Sequence, residues 1–269
     1  MDWGSYATLS LEQDGDALIV TVNRPEALNA LANQVVDDLL ALTGRLEGIG
    51  RDADWPVRGI VLTGAGTKAF VAGADIREMD GMDPATAEAY GRRMHQVTLR
   101  LEELPVPVIA AVNGFALGGG CELALACDFI YASADASFGQ PEVALGLVPG
   151  FGGSVRLQQR VGAGQARELI FTGRRIDARH AHGIGLVNRV FDDAAALMDG
   201  ARATIAELAR VSPTAVANAK RTMHRVQGLG VAEGLEVEAA GFREAFTTED
   251  SAVGRAAFVA KERAAFPGR

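Results

Sequence analysis

The sequence predicts an α/β fold that continues into an all-helical C-terminal region. Apolar segments rich in β-forming residues alternate with segments of helical periodicity up to about residue 195, an order typical of layered α/β proteins. Beyond that point only helical periodicity continues. A chain of 269 residues, 48% of them hydrophobic, can bury a large core. We therefore expect a core over residues 1–195 and a helical region over residues 196–269.

The first part of the core predicts two strands, each followed by a helix. Residues 16–24 alternate in polarity and are rich in β-forming residues, which predicts a strand, and the apolar run at 57–66 predicts a buried one. Residues 84–104 have helical spacing. A helix is also predicted within residues 25–49, where apolar residues recur at Leu28, Leu31, Val35, Leu39, Leu42 and Leu46.

The central part of the chain is the most apolar. Residues 107–116 predict a third buried strand, residues 118–127 a short helix opened by glycines, and residues 128–140 short strands. The stretch 105–127 is long enough to suggest a membrane span, but it contains two prolines, four glycines and Glu122. A buried core segment whose polar residues have a functional role is a better interpretation than a membrane span.

The C-terminal region carries clear helix start signals. Ser212 precedes Pro213, the order of a capping residue and a proline at the first helical position. Residues 247–266 begin with hydroxyl residues and two acids, which suit a helix N-terminus. Residues 234–246 place Leu235, Ala239, Phe242 and Phe246 on one helical face. These apolar helices need a surface to cover, either their own core or another subunit.

Net charge, the N-terminal sequence and the cysteines argue against a nucleic-acid-binding, secreted or disulfide-bonded protein. The net charge of −8 argues against nucleic acid as the main partner. The N-terminal residues lack the basic and apolar regions of a signal peptide, and Cys121 and Cys127 are spaced so that a helix would point them apart. Two free thiols in an apolar run fit a reducing compartment, so we expect a cytoplasmic protein that is not bound to a membrane.

Glu122 is the first candidate for a catalytic residue. It follows the glycine run Gly118–Gly120 and is surrounded by apolar neighbours, so a helix here offers it no solvated face. A carboxylate near a helix N-terminus is favoured as the anion, which suits a general base. Glycines between a buried strand and a helix leave backbone N–H groups uncovered, as an oxyanion hole requires.

Glu142 is the second candidate. It lies after Pro141, which restricts Gln140 to extended geometry and places the segment in a loop or at a strand end. A surface turn explains Glu142 equally well on this evidence alone. If the two carboxylates meet in an apolar pocket, one of them holds its proton near neutral pH, and the pair supplies both an acid and a base.

Other motifs carry weaker signals. Gly64 and Gly66 follow a strand, as in a dinucleotide site, but the third glycine is absent and no amphipathic helix follows. His180 and His182 have no second pair of ligands nearby, so no metal site is predicted. A nucleophile-elbow serine motif is absent, which leaves a serine hydrolase unsupported.

At these residues the chain resembles the crotonase superfamily of enoyl-CoA hydratases and isomerases. The resemblance covers nearly the whole chain and rests on five blocks in the family's order. These blocks are "NRPEALNAL" (23–31), "AFVAGADIREM" (69–79), "NGFALGGGCELALACD" (113–128), "FGQPEVALGLVPGFGG" (138–153) and "GLVNRV" (185–190).

The resemblance implies a spiral of repeated ββα turns with a C-terminal helical region that builds homotrimers or homohexamers. It also implies an enoyl-CoA hydratase of fatty-acid metabolism, a lyase that adds water to a trans-2-enoyl-CoA. Glu122 would activate the water and Glu142 would protonate the substrate, while the backbone N–H groups of Ala74 and Gly119 would bind the thioester oxygen. Coenzyme A is part of the substrate, so no separate cofactor or metal is implied.

The same resemblance implies binding residues for coenzyme A. The backbone of Asp75, Ile76 and Arg77 would line its path, and Phe242 and Lys261 match tail positions that reach the coenzyme A of a neighbouring subunit. Where hydratase relatives often have "GGTQRL", this chain has "GGSVRL" at 152–157, a departure past the catalytic block that concerns the substrate rather than the chemistry. An isomerase, which typically keeps only the second glutamate, another crotonase-type acyl-CoA enzyme and a noncatalytic acyl-CoA-binding protein remain alternatives.

Overall fold

A computed structural model describes residues 2–269 and contains two β-sheets. The ten strands are β1 (Leu9–Asp14), β2 (Ala17–Val22), β3 (Gly59–Gly64), β4 (Ala69–Val71), β5 (Val108–Val112), β6 (Phe115–Leu117), β7 (Phe129–Ser133), β8 (Ser137–Gly139), β9 (Arg175–Asp177) and β10 (Arg189–Phe191). The larger sheet has the order β1-β2-β3-β5-β7-β10 and the smaller one β4-β6-β8-β9. All pairs are parallel except β1 with β2 and β8 with β9.

Ten α-helices accompany the strands within the described residues. They are α1 (Asn33–Leu46), α2 (Ile76–Met79), α3 (Pro84–Glu103), α4 (Gly119–Leu125), α5 (Gly153–Thr172), α6 (Ala178–Gly183), α7 (Ala194–Leu208), α8 (Pro213–Arg225), α9 (Val231–Ala245) and α10 (Glu249–Ala260). Three times in succession, a strand of the large sheet is followed by one of the small sheet and then by a helical segment. This order builds the predicted spiral of ββα turns.

The central strands of the large sheet, β2, β3, β5 and β7, are buried on both faces. One face packs with α1, α3 and α4 into the main hydrophobic core. The other face is covered by α7, whose Leu197, Ala201 and Ile205 pack on strand residues such as Ile109 and Tyr131. Parallel strands buried on both faces consist of continuous apolar runs, which explains why the sequence pattern at β3 and β5 is uniform rather than alternating.

The first predicted helix begins later than its apolar spacing indicates. Leu28 and Asn29 have φ of 52° and 58°, outside helical geometry, and α1 starts only at Asn33. The cause is Asn29, whose fully buried side chain donates to the carbonyls of Ala65 and Ala69 at 3.0 and 2.8 Å. The tertiary bonds of this one side chain therefore override the local periodicity.

The strand predicted over 107–116 is in fact two strands in different sheets. β5 ends at Val112 and β6 begins at Phe115, with Asn113 donating to the carbonyls of Gly64 and Gly66 at 2.8 and 2.9 Å between them. Both strands are mostly buried, so hydrophobicity alone did not reveal the break. These hydrogen bonds use the carbonyl oxygens of Gly64 and Gly66. The Gly64–Gly66 turn is followed by β4 rather than by the helix of a dinucleotide site.

The C-terminal helices follow their sequence signals. Ser212 and Thr248 accept from the N–H groups of Ala215 and Ser251, and so cap α8 and α10. Lys220 anchors α8 on the core through bonds to the carbonyls of Leu101 and Val106 and a 2.7 Å ion pair with Asp128. This buried lysine was not anticipated from the sequence.

Among residues 2–269, no helix has both the length and the apolar character needed to cross a membrane. The thiols of Cys121 and Cys127 are free and buried, in agreement with the prediction that they form no disulfide. In the same described part of the chain, no cluster of three or more potential metal-ligating side chains occurs.

Candidate active site

Glu122 lies in the first turn of α4 and is almost completely buried, with 1% of its surface exposed. Its Oε1 atom accepts hydrogen bonds from the backbone N–H groups of Phe151 and Gly153, at 2.8 and 2.7 Å. Gly153 is the first residue of α5, which is kinked at Gly162, so the carboxylate sits at the positive N-terminal end of the first part of this helix. No donor among residues 2–269 bonds its second oxygen, Oε2.

The environment of Glu122 tunes its proton affinity. Burial is the main effect and raises the pKa of Glu122 to about 7, and the negative charge of Glu142 adds to the increase. The N–H groups of Gly153 and Phe151 and the positive charge of Arg156 oppose the increase. Glu122 can therefore gain or lose a proton near neutral pH, as a general acid or base must.

Glu142 is brought to the same place by a short 3-10 helix, Pro141–Leu145. Its carboxylate lies against Gly118, where a Cβ atom would stand only 2.8 Å from Oε1, so Gly118 is needed both for this space and for its φ of +51°. Burial raises the pKa of Glu142. With its amide nitrogen facing Glu142, the buried Gln140 donates to both carboxylate oxygens, at 2.9 and 3.2 Å.

The glycine run allows close packing around the two carboxylates. A Cβ atom at Gly120 would lie 1.9 Å from the carbonyl oxygen of Val71, and one at Gly119 would lie 2.6 Å from the ring of Phe151. The N–H of Gly119 begins α4 and donates to no backbone carbonyl among residues 2–269. It is thus free to bind a ligand oxygen.

Ala74 offers a second unused N–H. The backbone on either side of Ala74 pairs with Leu31. The N–H of Leu31 donates to the carbonyl oxygen of Gly73 at 2.8 Å, and the N–H of Asp75 donates to the carbonyl oxygen of Leu31 at 3.0 Å. Neither of these bonds uses the N–H of Ala74, and the described part of the chain contains no other acceptor for it. Gly73 has a φ of +127°, which residues with a side chain rarely adopt, and a Cβ atom there would also lie 3.3 Å from the carbonyl oxygen of Leu117 in β6.

The three residues after Ala74 line the outside of this region. Asp75 caps α2 by accepting from the N–H of Arg77, and it forms a 3.2 Å ion pair with Arg24. The side chains of Ile76 and Arg77 are exposed. The segment is thus fixed by Asp75 while its outer face stays open to a ligand.

The two predicted tail residues lie apart from this cluster within the single chain. Phe242 on α9 is 68% exposed and packs edge to face on Phe246, with a ring-centroid distance of 5.1 Å. Lys261 ends α10 with an exposed side chain and a φ of 59°. Their prediction concerned a neighbouring subunit, and it stays a prediction.

A large surface cavity does not have the two carboxylates in its lining. It has a volume of about 870 Å³ and lies between α3, α5 and α8. Its lining includes Gly152, which lies between the two N–H donors to Glu122, and Arg156. The candidate site is therefore identified by its side chains and free N–H groups rather than by cavity size.

The family of the chain follows from a comparison of its whole length. A sequence model described as enoyl-CoA hydratase/isomerase matches residues 12–269. The chain belongs to the enoyl-CoA hydratase/isomerase family. A short-chain-enoyl-CoA hydratase of Clostridium acetobutylicum is 44% identical over 253 residues, which are 94% of this chain and 95% of that protein.

Two further members of the enoyl-CoA hydratase/isomerase family agree with this assignment. A crotonyl-CoA hydratase of Syntrophomonas wolfei is 38% identical over 97% of this chain and 98% of its own length. The crystal structure of an enoyl-CoA hydratase from Bacillus anthracis has a TM-score of 0.90 at 35% identity, and covers 97% of this chain and 100% of that one. The predicted crotonase-type fold is thereby confirmed.

Several polar contacts at this family's site were missed by sequence reasoning. Gln140 was considered only for its backbone geometry, yet its buried amide contacts Glu142. Phe151 and Gly153 act through backbone N–H groups, which no side-chain pattern reveals. Arg156 stands in the "GGSVRL" segment, and its charge beside Val155 and Leu157 is the one sequence signal that could have pointed to it.

Proposed function

We propose that this protein is an enoyl-CoA hydratase, which adds water across the 2,3 double bond of a trans-2-enoyl-CoA to give a 3-hydroxyacyl-CoA. The observation that carries the proposal is the convergence of two carboxyl groups, Glu122 and Glu142, on one glycine run with unused N–H groups. The names of its relatives, a short-chain-enoyl-CoA hydratase and a crotonyl-CoA hydratase, support the same activity.

In the proposed reaction Glu122 is the base. Its Oε1 is fixed by two N–H groups, which leaves Oε2 to take a proton from the attacking water as the oxygen bonds to Cβ. Glu142, whose pKa is raised by burial, delivers a proton to Cα. Once the proton on Glu122 has passed back to Glu142, the atoms of one water molecule have been added and both carboxyl groups are restored, with no electron transfer or redox cofactor required.

The N–H groups of Gly119 and Ala74 are proposed to bind the thioester oxygen. Negative charge develops on this oxygen in the enolate-like transition state, where one well-placed donor contributes about 3–4 kcal/mol. Both N–H groups are free of other backbone acceptors in the described residues, so no protein bond has to break before the substrate binds.

The binding of coenzyme A and the assembly are part of the same proposal. The backbone of Asp75, Ile76 and Arg77 would hold coenzyme A, with Phe242 and Lys261 completing the site of a neighbouring subunit in a homotrimer or homohexamer. Residues 1–195 would then form the core with the acyl-CoA site, and residues 196–269 the helical oligomerisation region. The exposed apolar side chains of the C-terminal helices support this division.

A steady-state assay with crotonyl-CoA and longer trans-2-enoyl-CoAs tests the activity. The purified protein should remove the conjugated enoyl absorbance in all or part of this series, and the Glu122→Gln variant should do so at least about 100-fold more slowly. If the wild-type protein binds these thioesters without converting any of them, it is a noncatalytic acyl-CoA-binding protein and the proposal is wrong.

A further inference from the structure

The orientation of Glu122 depends on one short turn. Phe151 and Gly153, which donate both hydrogen bonds to its Oε1 atom, are separated by Gly152 alone. Gly152 has a φ of +114°, which side-chain-bearing residues rarely adopt. Anything that moves this turn therefore moves the two donors on which the carboxylate rests.

Arg156 covers the turn from the outside. Its Nη1 atom would lie 2.1 Å from a Cβ atom at Gly152, so the guanidinium rests directly on the backbone there. The same atom donates to the carbonyl oxygen of Phe151 at 3.4 Å, and the N–H of Arg156 donates to the carbonyl oxygen of Gly152 at 2.8 Å. Side chain and backbone of one residue thus both bind the segment that holds Glu122.

Arg156 is in turn fixed by Glu102, the penultimate residue of α3. The two side chains form a bidentate ion pair, with Nε to Oε1 at 2.5 Å and Nη2 to Oε2 at 2.8 Å. Only 13% and 14% of their surfaces are exposed. A bidentate guanidinium–carboxylate pair has a fixed geometry, and its low exposure protects it from solvent screening.

We propose that Arg156, held in place by Glu102, is a positioning residue for Glu122. It clamps the 151–153 turn, so that the N–H groups of Phe151 and Gly153 keep Oε1 fixed and direct Oε2 toward the reacting water. This inference rests on the proposed hydratase function. The chain of contacts runs from α3 through Glu102 and Arg156 to the turn and then to the carboxylate.

The charges around Glu122 make the role of Arg156 measurable. Glu142 on the 3-10 helix raises the pKa of Glu122, whereas Arg156 on α5 lowers it, and Cys121 beside it on α4 is a buried thiol whose own pKa is raised by burial. Removal of the Arg156 charge should therefore raise the pKa of Glu122. Because the base must be ionised, the acid limb of the hydration rate should move to higher pH.

Three variants separate the effect of Arg156 on the position of Glu122 from the effect of its charge. Arg156→Gln removes both the clamp and the charge, Arg156→Lys keeps the charge without the bidentate geometry, and Glu102→Gln frees the arginine. Each should lower kcat roughly ten- to hundredfold while KM changes by less than about threefold, because the loss concerns the position of the base. The acid limb should move to higher pH in Arg156→Gln and stay near the wild-type position in Arg156→Lys.

A matched control lies on α7, which covers the opposite face of the large sheet from α4. Arg202 pairs with Asp14 of β1 at 2.8 Å, so Arg202→Gln breaks an arginine–carboxylate pair on that other face. It should leave kcat and the pH profile unchanged. Circular dichroism and thermal unfolding of every variant measure the folded fraction, by which kcat is corrected.

A second readout does not depend on activity. The carboxyl carbon of Glu122 in ¹³C-labelled protein, assigned with Glu122→Gln, can be titrated by NMR in the wild-type protein and in Arg156→Gln, where its midpoint should rise. An unchanged midpoint together with a wild-type kcat per folded molecule would overturn the positioning role. If the wild-type protein itself hydrates no enoyl-CoA, the proposed function fails instead, and the NMR titration still tests the contact.

Discussion

Glu122 occupies a position that is unfavourable for a charge and useful for catalysis. The protein buries this side chain almost completely, yet gives one oxygen two N–H donors at a helix N-terminus. Burial and hydrogen bonding act in opposite directions, and the balance is a pKa of about 7. A residue whose proton affinity is matched to neutral pH is what a general base requires.

The paired carboxyl groups lead to the first prediction. Glu122→Gln and Glu142→Gln should each lower the turnover of an enoyl-CoA by about 100-fold or more, since general acid–base catalysis contributes that order. The glutamine amides keep the shape of the side chains but cannot exchange the required proton. Glu88→Gln, at an exposed position of α3, serves as the control and should have normal turnover. Normal turnover in either folded site variant would remove that residue from the mechanism.

Burial of Glu122 also predicts a pH dependence of stability. Because its pKa is raised in the folded state, its contribution to folding is complete below the unfolded value of about 4.5 and is lost as the pH rises through about 7. Glu122→Gln keeps an oxygen acceptor for both N–H groups and avoids a buried charge. Above about pH 8 it should be more stable than the wild-type protein, by roughly 1–3 kcal/mol.

Denaturant unfolding of both proteins at several pH values measures this difference. The advantage of Glu122→Gln should shrink toward about pH 5, where the wild-type carboxyl is protonated in the folded state. A constant difference across this range would mean that Glu122 does not titrate as its burial requires.

At the scale of elements, α4 is important because its first N–H, that of Gly119, donates to no backbone carbonyl among residues 2–269. Gly119→Pro should abolish turnover, since proline removes the N–H proposed to bind the thioester oxygen. Any side chain at this position also approaches the ring of Phe151, because a Cβ atom would lie 2.6 Å from it. Gly119→Ala is therefore the matched control, with the same added Cβ and an intact N–H.

The comparison between the two variants isolates the contribution of the Gly119 N–H to turnover. Gly119→Ala should lose activity only through steric displacement of Phe151, and Gly119→Pro should fall below it by about 100-fold. Circular dichroism shows whether each is folded. Equal kcat values in two folded variants would place the oxyanion hole elsewhere.

The sequence predicted elements well where local and tertiary preferences agree. The strand at 57–66, the helix at 84–104 and the capped helices after Ser212 all appear near their predicted positions. The late start of α1 and the break between β5 and β6 depend on the side chains of Asn29 and Asn113, which bond to carbonyls distant in sequence. The amphipathic pattern carries no information on such bonds.

Part of the candidate site, like part of the fold, could be predicted from the sequence. Glu122 and Glu142 could be proposed from their apolar context and the family blocks, and the structure brings them to one glycine run. The clamp formed by Arg156 and Glu102 was not, because it joins residues 54 apart in sequence through an ion pair. A sequence motif identifies the reacting groups more readily than the contacts that orient them.

At the scale of the whole molecule, the C-terminal helices leave large apolar side chains exposed. Val231, Phe242, Phe258 and Val259 each expose more than two thirds of their surface. Such a concentration of exposed apolar residues is typical of an interaction surface. It fits the assembly proposed above.

The protein should accordingly be a trimer or a hexamer in solution. Light scattering at micromolar concentration should give such a mass, and truncation near residue 200 should abolish it. Phe258→Asp, a single change at an exposed position of α10, should weaken the assembly without unfolding the monomer. A monomeric wild-type protein under these conditions would contradict the proposed assembly.

The central claim is that the two carboxyl groups add water rather than move a double bond. The direct measurement is the reaction of a trans-2-enoyl-CoA in ¹⁸O-labelled water, with mass spectrometry of the product. Hydration predicts one labelled oxygen at Cβ, formed as the conjugated absorbance disappears. Efficient conversion of a 3-enoyl-CoA to the 2-enoyl form, with no label entering from the 2-enoyl substrate, would contradict the account and identify an isomerase.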